Sequence, residues 1–98
     1  MLNNLFKIRM NDGTRHFADM PENALFGEFY ERAENLTGAA ITEFLTDGVV
    51  EMWLDFEFHG HKFSVNNQFG DYWFFVTDPE CPDEILFEII EHFRKLLD

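Results

Sequence analysis

Residues 49–77 read VVEMWLDFEFHGHKFSVNNQFGDYWFFVT, and this stretch decides the fold. Between Val50 and Phe58 apolar and polar residues alternate with a period of two, which predicts a β-strand with two different faces. The apolar face takes Val50, Met52, Leu54, Phe56 and Phe58. The acidic face takes Val49, Glu51, Trp53, Asp55 and Glu57. A tryptophan among carboxylates indicates a surface that another molecule covers.

A hairpin is predicted at Gly60, which returns the chain as a second strand over His61–Asn67. A loop of two residues and a loop of four give the same register. In that register Phe56 lies opposite Phe63, so that apolar meets apolar. The other predicted pairs are Leu54 with Val65, Glu57 with Lys62, and Trp53 with Asn66.

An aromatic strand over Tyr72–Thr77 follows a loop at Gln68–Asp71. If this loop has four residues, one set of side chains faces the core and the other lies beside the acidic face. The inward set is then Tyr72, Phe74 and Val76, and the outward set is Trp73 and Phe75. An odd loop reverses the sets, and an aromatic pair points outward in either case.

Further strands are expected outside this stretch. Ala40–Leu45 is predicted as a strand that a turn at Asp47-Gly48 joins to the acidic strand. Near the N-terminus, a turn at Asn11–Gly13 separates a short strand over Leu5–Met10 from a return strand over Thr14–Phe17.

Two amphipathic helices complete the prediction. The first begins at Pro21 and ends near Leu36 or Thr37, before Gly38. Its apolar stripe is Leu25, Phe29, Ala33 and Leu36. The second begins at Pro82, with the stripe Ile85, Ile89, Phe93 and Leu96. Residues 1–98 are therefore expected to form a single α+β domain, with a four- to five-stranded, mainly antiparallel sheet and both helices packed on one face. The predicted core is Leu54, Phe56, Phe63, Ile85, Ile89 and Phe93.

The charge of the chain is strongly acidic and unevenly distributed. The formal net charge is -12, yet residues 1–18 carry a net +2 through Lys7, Arg9 and Arg15 against Asp12. Residues 19–57 carry -9, and residues 58–98 carry -5. Such a field repels nucleic acid and anionic membranes and attracts a basic protein partner, although solubility alone also accounts for it.

The compartment expected for the chain is the cytoplasm. The lone Cys81 excludes an internal disulfide framework. Residues 1–7 lack the apolar region of a signal peptide, and no apolar run is long enough to span a membrane.

No catalytic residue, cofactor site or metal site is predicted. His59 and His61 supply at most two ligands of the three or four that a metal needs. Cys81 lies near a helix N-terminus, where a thiol pKa tends to fall, but no base or oxyanion hole accompanies it in the sequence. The spacing of Glu51, Asp55 and Glu57 suits acid–base pairs and follows equally from any solvated strand.

The predicted partner-binding residues are Glu51, Trp53, Asp55, Glu57, Trp73 and Phe75. Aromatic side chains ringed by polar residues are typical of interface hot spots. Two alternatives remain open: a terminal segment or the Leu5–Met10 strand covers the rings, or one edge of the sheet forms a second small core.

In size, acidity and aromatic surface the chain resembles bacterial immunity proteins, the small cytoplasmic inhibitors paired with secreted or contact-delivered toxins. The resemblance implies that the carboxylates meet lysines and arginines of a basic toxin while Trp53 and Trp73 fill pockets. Other hypotheses are a homodimer or other homo-oligomer that closes through the aromatic face, a small ligand-binding protein or enzyme, and a mimic of nucleic-acid charge.

Overall fold

The computed structural model describes residues 5–22, 24–47 and 50–97. In chain order the elements are β1 (Ile8–Arg9), β2 (Arg15–Pro21), α1 (Phe26–Glu34), β3 (Ala40–Thr46), β4 (Met52–Phe58), β5 (His61–Asn66), β6 (Asp71–Val76) and α2 (Asp83–Phe93), with a 3-10 turn at Arg94–Leu97. The strands form one antiparallel sheet in the order β1-β2-β6-β5-β4-β3. The α+β class is confirmed. The expected four to five strands are corrected to six in the described residues, because both strands of the N-terminal hairpin join the sheet.

The predicted register of the hairpin between β4 and β5 is confirmed, although β5 ends at Asn66, one residue before the predicted end. Phe56 pairs with Phe63, and the other three predicted pairs are also present. The loop is His59-Gly60, and both residues have positive φ angles, of 51° and 79°. Paired positive φ values are those of a tight hairpin turn whose twist matches the strands, which is why a glycine is needed here.

The predicted parity of β6 is also confirmed. Four residues, Asn67–Gly70, separate β5 from β6. Tyr72, Phe74 and Val76 are fully buried, while Trp73 and Phe75 are half-buried on the other side. Asn66 pairs with Trp73 and Ser64 pairs with Phe75.

The core lies between one face of the sheet and the two helices. Phe29 of α1 contacts Tyr72, with ring centroids 4.3 Å apart, and stacks on Phe93 of α2 at 4.8 Å. Phe93 in turn contacts Phe74 at 5.3 Å. Of the six predicted core residues, five are buried, and Ile85 packs half-buried at the edge.

The start of the first helix was predicted wrongly. Pro21 does not begin α1 but ends β2, where it pairs with Asp71. A proline is tolerated at a strand end because no further ladder hydrogen bond is required of it. The helix begins five residues later at Phe26, and Leu25 precedes it with 75% of its surface exposed, so Leu25 does not belong to the buried stripe.

The end of that helix and the start of β4 also differ from prediction. The helix ends at Glu34, and Gly38, with φ of +92°, follows a further turn instead of capping the helix directly. The acidic strand begins at Met52, and Val50 before it is 64% exposed. The predicted places of Val49 and Gly48 lie outside the described residues.

Candidate partner-binding face

The face of the sheet opposite the helices, here called the outer face, is built in rows by the strand register. One row runs from Trp53 through Asn66 to Trp73, and the next from Asp55 through Ser64 to Phe75. Because β5 lies between their strands, the backbones of the two tryptophans are about 10 Å apart. The register thus brings five of the predicted site residues onto one surface: Trp53, Asp55, Glu57, Trp73 and Phe75.

Asp55 fixes the indole of Trp53. The indole Nε1–H donates to Asp55 Oδ1 at 2.8 Å, and the Ser64 hydroxyl donates to the same oxygen at 2.6 Å. Hydrogen bonds to a charged acceptor are among the stronger ones in proteins. Trp53 is therefore held in one orientation, half-buried, and Asp55 acts first as its support.

Apolar and acidic side chains surround Trp53 at the β3–β4 edge. Leu45 pairs with Trp53 across the strands and is 56% exposed. Glu43 pairs with Asp55, so two carboxylate-bearing residues lie side by side. A shallow depression of about 370 Å³ opens here, and its lining includes Leu45, Glu51 and Trp53. Glu51 precedes β4, and Glu57 lies in it opposite Lys62; both are exposed.

A cluster of rings forms around Trp73. His16 of β2 stacks on Trp73, with centroids 4.2 Å apart and planes 12° from parallel, and lies 5.3 Å from Phe75. Phe6 meets the other side of His16 edge-on at 5.3 Å. Phe69 contacts Trp73 at 4.4 Å and is itself 62% exposed. Trp73 therefore contacts both His16 and Phe69.

The alternative that the N-terminal segment covers the rings holds in part. Phe6 packs on the buried His16, which in turn contacts Trp73 and Phe75 from the β2 side, and both of these rings remain half-exposed. Alternation along β2 places His16 on the outer face, where it pairs with Phe75, and the next residue, Phe17, in the core.

The electrostatics of His16 follow from this position. Burial lowers the pKa of His16, and the Ala18 carbonyl and the Asp19 carboxylate partly oppose that shift. The neutral imidazole is therefore the form that stacks on Trp73 near neutral pH.

His59, His61 and Cys81, considered above for metal binding or catalysis, all lie in the described part of the chain. His59 lies 3.5 Å from Glu88, and His61 lies 3.9 Å from Asp78, so each has a different carboxylate beside it. Among the described residues no group of three or more metal-binding side chains comes together. Cys81 is buried, and burial together with the Asp78 carboxylate raises its thiol pKa to about 11, the reverse of the lowering expected at a helix N-terminus.

Four further residues belong to the outer face or support it, although they are absent from the predicted partner-binding set. They are His16, Leu45, Asn67 and Phe69. Asn67 is buried where β5 ends; its amide donates to the Val50 carbonyl and its Oδ1 accepts from the Met52 N–H. The signal available in the sequence was an asparagine at the end of a predicted strand. If its side-chain amide is buried there, it needs hydrogen-bond partners such as these backbone groups. His16 carried no local signal, because its neighbours come from pairing with the distant strand β6, whereas Leu45 pairs with Trp53 within a hairpin that the sequence predicts.

Comparison with known proteins adds no assignment: no protein-family model matches the chain, and no curated protein or solved structure is significantly similar to it. Within the described residues, no helix has both the length and the apolar character needed to cross a membrane.

Proposed function

We propose that this protein is a small acidic binding module that holds a basic protein partner on its outer face and thereby inhibits or regulates it. The observation that carries the proposal is the Trp53 indole, half-buried and tied to Asp55 beside the exposed Leu45. Ordering a large side chain before binding lowers the entropic cost of the complex. Trp53 therefore has the character of an interface anchor.

The charge pattern supports a basic partner. Glu43, Glu51 and Glu57 are exposed around Trp53, in a chain of net charge -12. Complementary charge at the rim speeds association and selects the partner, whereas desolvated aromatic anchors slow dissociation. The similarity in size and acidity to bacterial immunity proteins supports inhibition of a toxin as the biological role, in the cytoplasm and without catalysis.

The test is co-purification with the product of the adjacent gene, carried out in parallel for the wild type, Trp53→Ala and Phe87→Ala. Phe87 is the matched control because it is a comparably large apolar side chain, 42% exposed on α2, in the layer opposite the outer face. We expect the wild type and Phe87→Ala to retain the partner and Trp53→Ala to lose it.

Light scattering at low and high salt separates this proposal from self-association. A monomer that forms a salt-sensitive complex supports the binding module. A dimer that persists at high salt and dissociates on Trp53→Ala substitution would instead assign the outer face to a homo-oligomer and overturn the proposal.

A further inference from the structure

A second feature lies away from the outer face, in a cleft between the N-terminal hairpin and the start of α2. This basic cleft has a volume of about 410 Å³, and its lining includes Lys7, Arg9, Arg15, Cys81 and Asp83. It gathers the three cations of residues 1–18 in a chain that is otherwise strongly acidic. None of its lining residues belongs to the predicted partner-binding set.

Arg15 is a buried cation that the described residues neutralise incompletely. It is only 6% exposed, and its Nε–H donates to the Phe6 carbonyl at 2.7 Å. Its Nη1 lies 3.4 Å from one oxygen of Asp83, whose side chain is 54% exposed. Its Nη2 is buried and has no hydrogen-bond acceptor in the part of the chain that the structure describes.

The hydrogen-bond donors of the Arg15 guanidinium are therefore not all satisfied. A guanidinium stays charged at all ordinary pH values and offers five N–H donors. Burying such a donor without an acceptor costs free energy, and one long contact to a half-exposed carboxylate does not satisfy the group. Arg15 lines the cleft, so an oxyanion bound there would offer the guanidinium acceptors that the described residues do not supply.

The start of α2 adds donors on the same side. Pro82 is the N-cap of this 11-residue helix and has no side-chain oxygen to accept from its first N–H groups. The N-terminus of a helix carries a partial positive charge that favours anions. Lys7 and Arg9 are exposed at the cleft and can reach a bound anion without moving the core.

We propose that the basic cleft binds a small phosphate-bearing anion between Arg15, the N-terminus of α2, Lys7 and Arg9. A phosphate suits the cleft better than a carboxylate, because it offers more acceptor oxygens to donors that come from a guanidinium, a helix end and two flexible side chains. Asp83 competes for the same guanidinium, so phosphate binding displaces the Asp83 contact. Glu80 and Asp83 also line the cleft, and their negative charges limit the affinity for an anion. Because salt screens the attraction between the anion and the exposed cations, the affinity should depend strongly on salt concentration.

The test is titration of the whole protein with inorganic phosphate, glycerol phosphate and acetate at constant ionic strength, followed by calorimetry and by the melting temperature. We expect saturable binding of the phosphates and a rise in melting temperature that neither acetate nor chloride gives. Equal affinity for the two phosphates identifies free phosphate as the ligand, and tighter binding of glycerol phosphate identifies a phosphate monoester.

Charge-matched variants decide whether the cleft is responsible. Lys7→Gln with Arg9→Gln should weaken phosphate binding at least about tenfold, as the loss of charge-assisted contacts does. Arg94→Gln with Lys95→Gln removes the same charge at the far end of α2 and should leave the affinity nearly unchanged. Asp83→Asn should tighten binding severalfold, because it removes the competing carboxylate.

Three results would overturn the proposal. They are no saturable phosphate response in the wild type, equal weakening by the two double variants, and weaker binding after Asp83→Asn. Each can be recorded on folded protein, because all the substituted side chains are exposed.

Discussion

His16 and Trp73 lie face to face, with ring centroids 4.2 Å apart and planes within 12° of parallel. One belongs to β2 and the other to β6, so the stack depends on a strand pairing that spans most of the chain. The stack packs Trp73 against β2, while Trp53, two strands away on β4, is half-buried. This division separates residues that support the outer face from residues that would contact a partner.

Trp53→Ala tests the anchor directly. We expect partner affinity to fall by about 2 kcal/mol or more, as interface hot-spot truncations do. The indole is half-buried and bonded to Asp55, so the free energy of unfolding should fall by only about 1 kcal/mol. Urea denaturation and calorimetry on the same variant measure both quantities. A collapse of the denaturation midpoint would place Trp53 in the core, and unchanged affinity would place the partner elsewhere.

Reversing the acidic charges around Trp53 should change the rate of association with the partner more than it changes the folded structure. Glu51→Lys with Glu57→Lys is expected to slow association about tenfold or more and to flatten its dependence on salt. Glu84→Lys with Glu88→Lys on α2 is the control, because it reverses the same number of charges at exposed acids in the helical layer. Stopped-flow or surface-based binding at several salt concentrations gives the association rates. Equal slowing by the control would mean that net charge alone steers the encounter.

Phe56→Ala probes the core beneath the outer face. Phe56 is 1% exposed, stacks on Phe63 at 5.3 Å and contacts Phe93 at 6.1 Å. Its truncation should cost about 3–5 kcal/mol, which is a large part of the stability of a domain of this size. Leu25→Ala, at a site 75% exposed, should change the free energy of unfolding by less than about 0.5 kcal/mol. A loss below about 1 kcal/mol for Phe56→Ala would contradict the packing described.

His16 makes stability depend on pH. Burial lowers its pKa below the ordinary value of 6.5, so the folded state binds this proton less readily than the unfolded chain. The contribution is therefore fully present above pH 6.5 and is lost as the pH falls through that value toward the folded pKa. We expect the wild type to lose stability as the pH falls from neutral to below 6.5, and His16→Phe to lose less.

Urea denaturation across that pH range checks the His16 prediction. His16→Phe keeps an aromatic ring against Trp73 and removes the titrating group. His92, whose pKa burial also lowers, is present in both proteins, so its effect cancels in the difference. Identical pH dependence in the two proteins would show that His16 does not titrate in this window.

The central hairpin was predictable because its information is local. A period of two on both sides of Gly60 sets the register, and Phe56 opposite Phe63 follows from apolar matching alone. The start of α1 was not predictable in this way, because Pro21 fits a helix start locally and its pairing with Asp71 depends on a distant strand.

The sequence predicted which residues form the outer face, but it did not predict which other residues cover part of that face. Alternation places Trp53, Trp73 and Phe75 on one side, yet it cannot reveal that His16 and Phe6 pack over part of it.

The burial of Arg15 could not be predicted from the sequence either. Arginines are mostly exposed, so no sequence pattern distinguishes the one that lies 6% exposed beneath the basic cleft.

The sheet order also predicts an order of events in folding. β3 to β6 pair with their neighbours along the chain, whereas β2 must wait for β6, more than fifty residues later. Local pairings form before those that close long loops, so β2 should dock last. On the ribosome, β2 emerges well before its partner β6. Until β2 docks, β6 is an open edge with four consecutive aromatic residues, Tyr72, Trp73, Phe74 and Phe75, and the nascent chain is then most prone to aggregate.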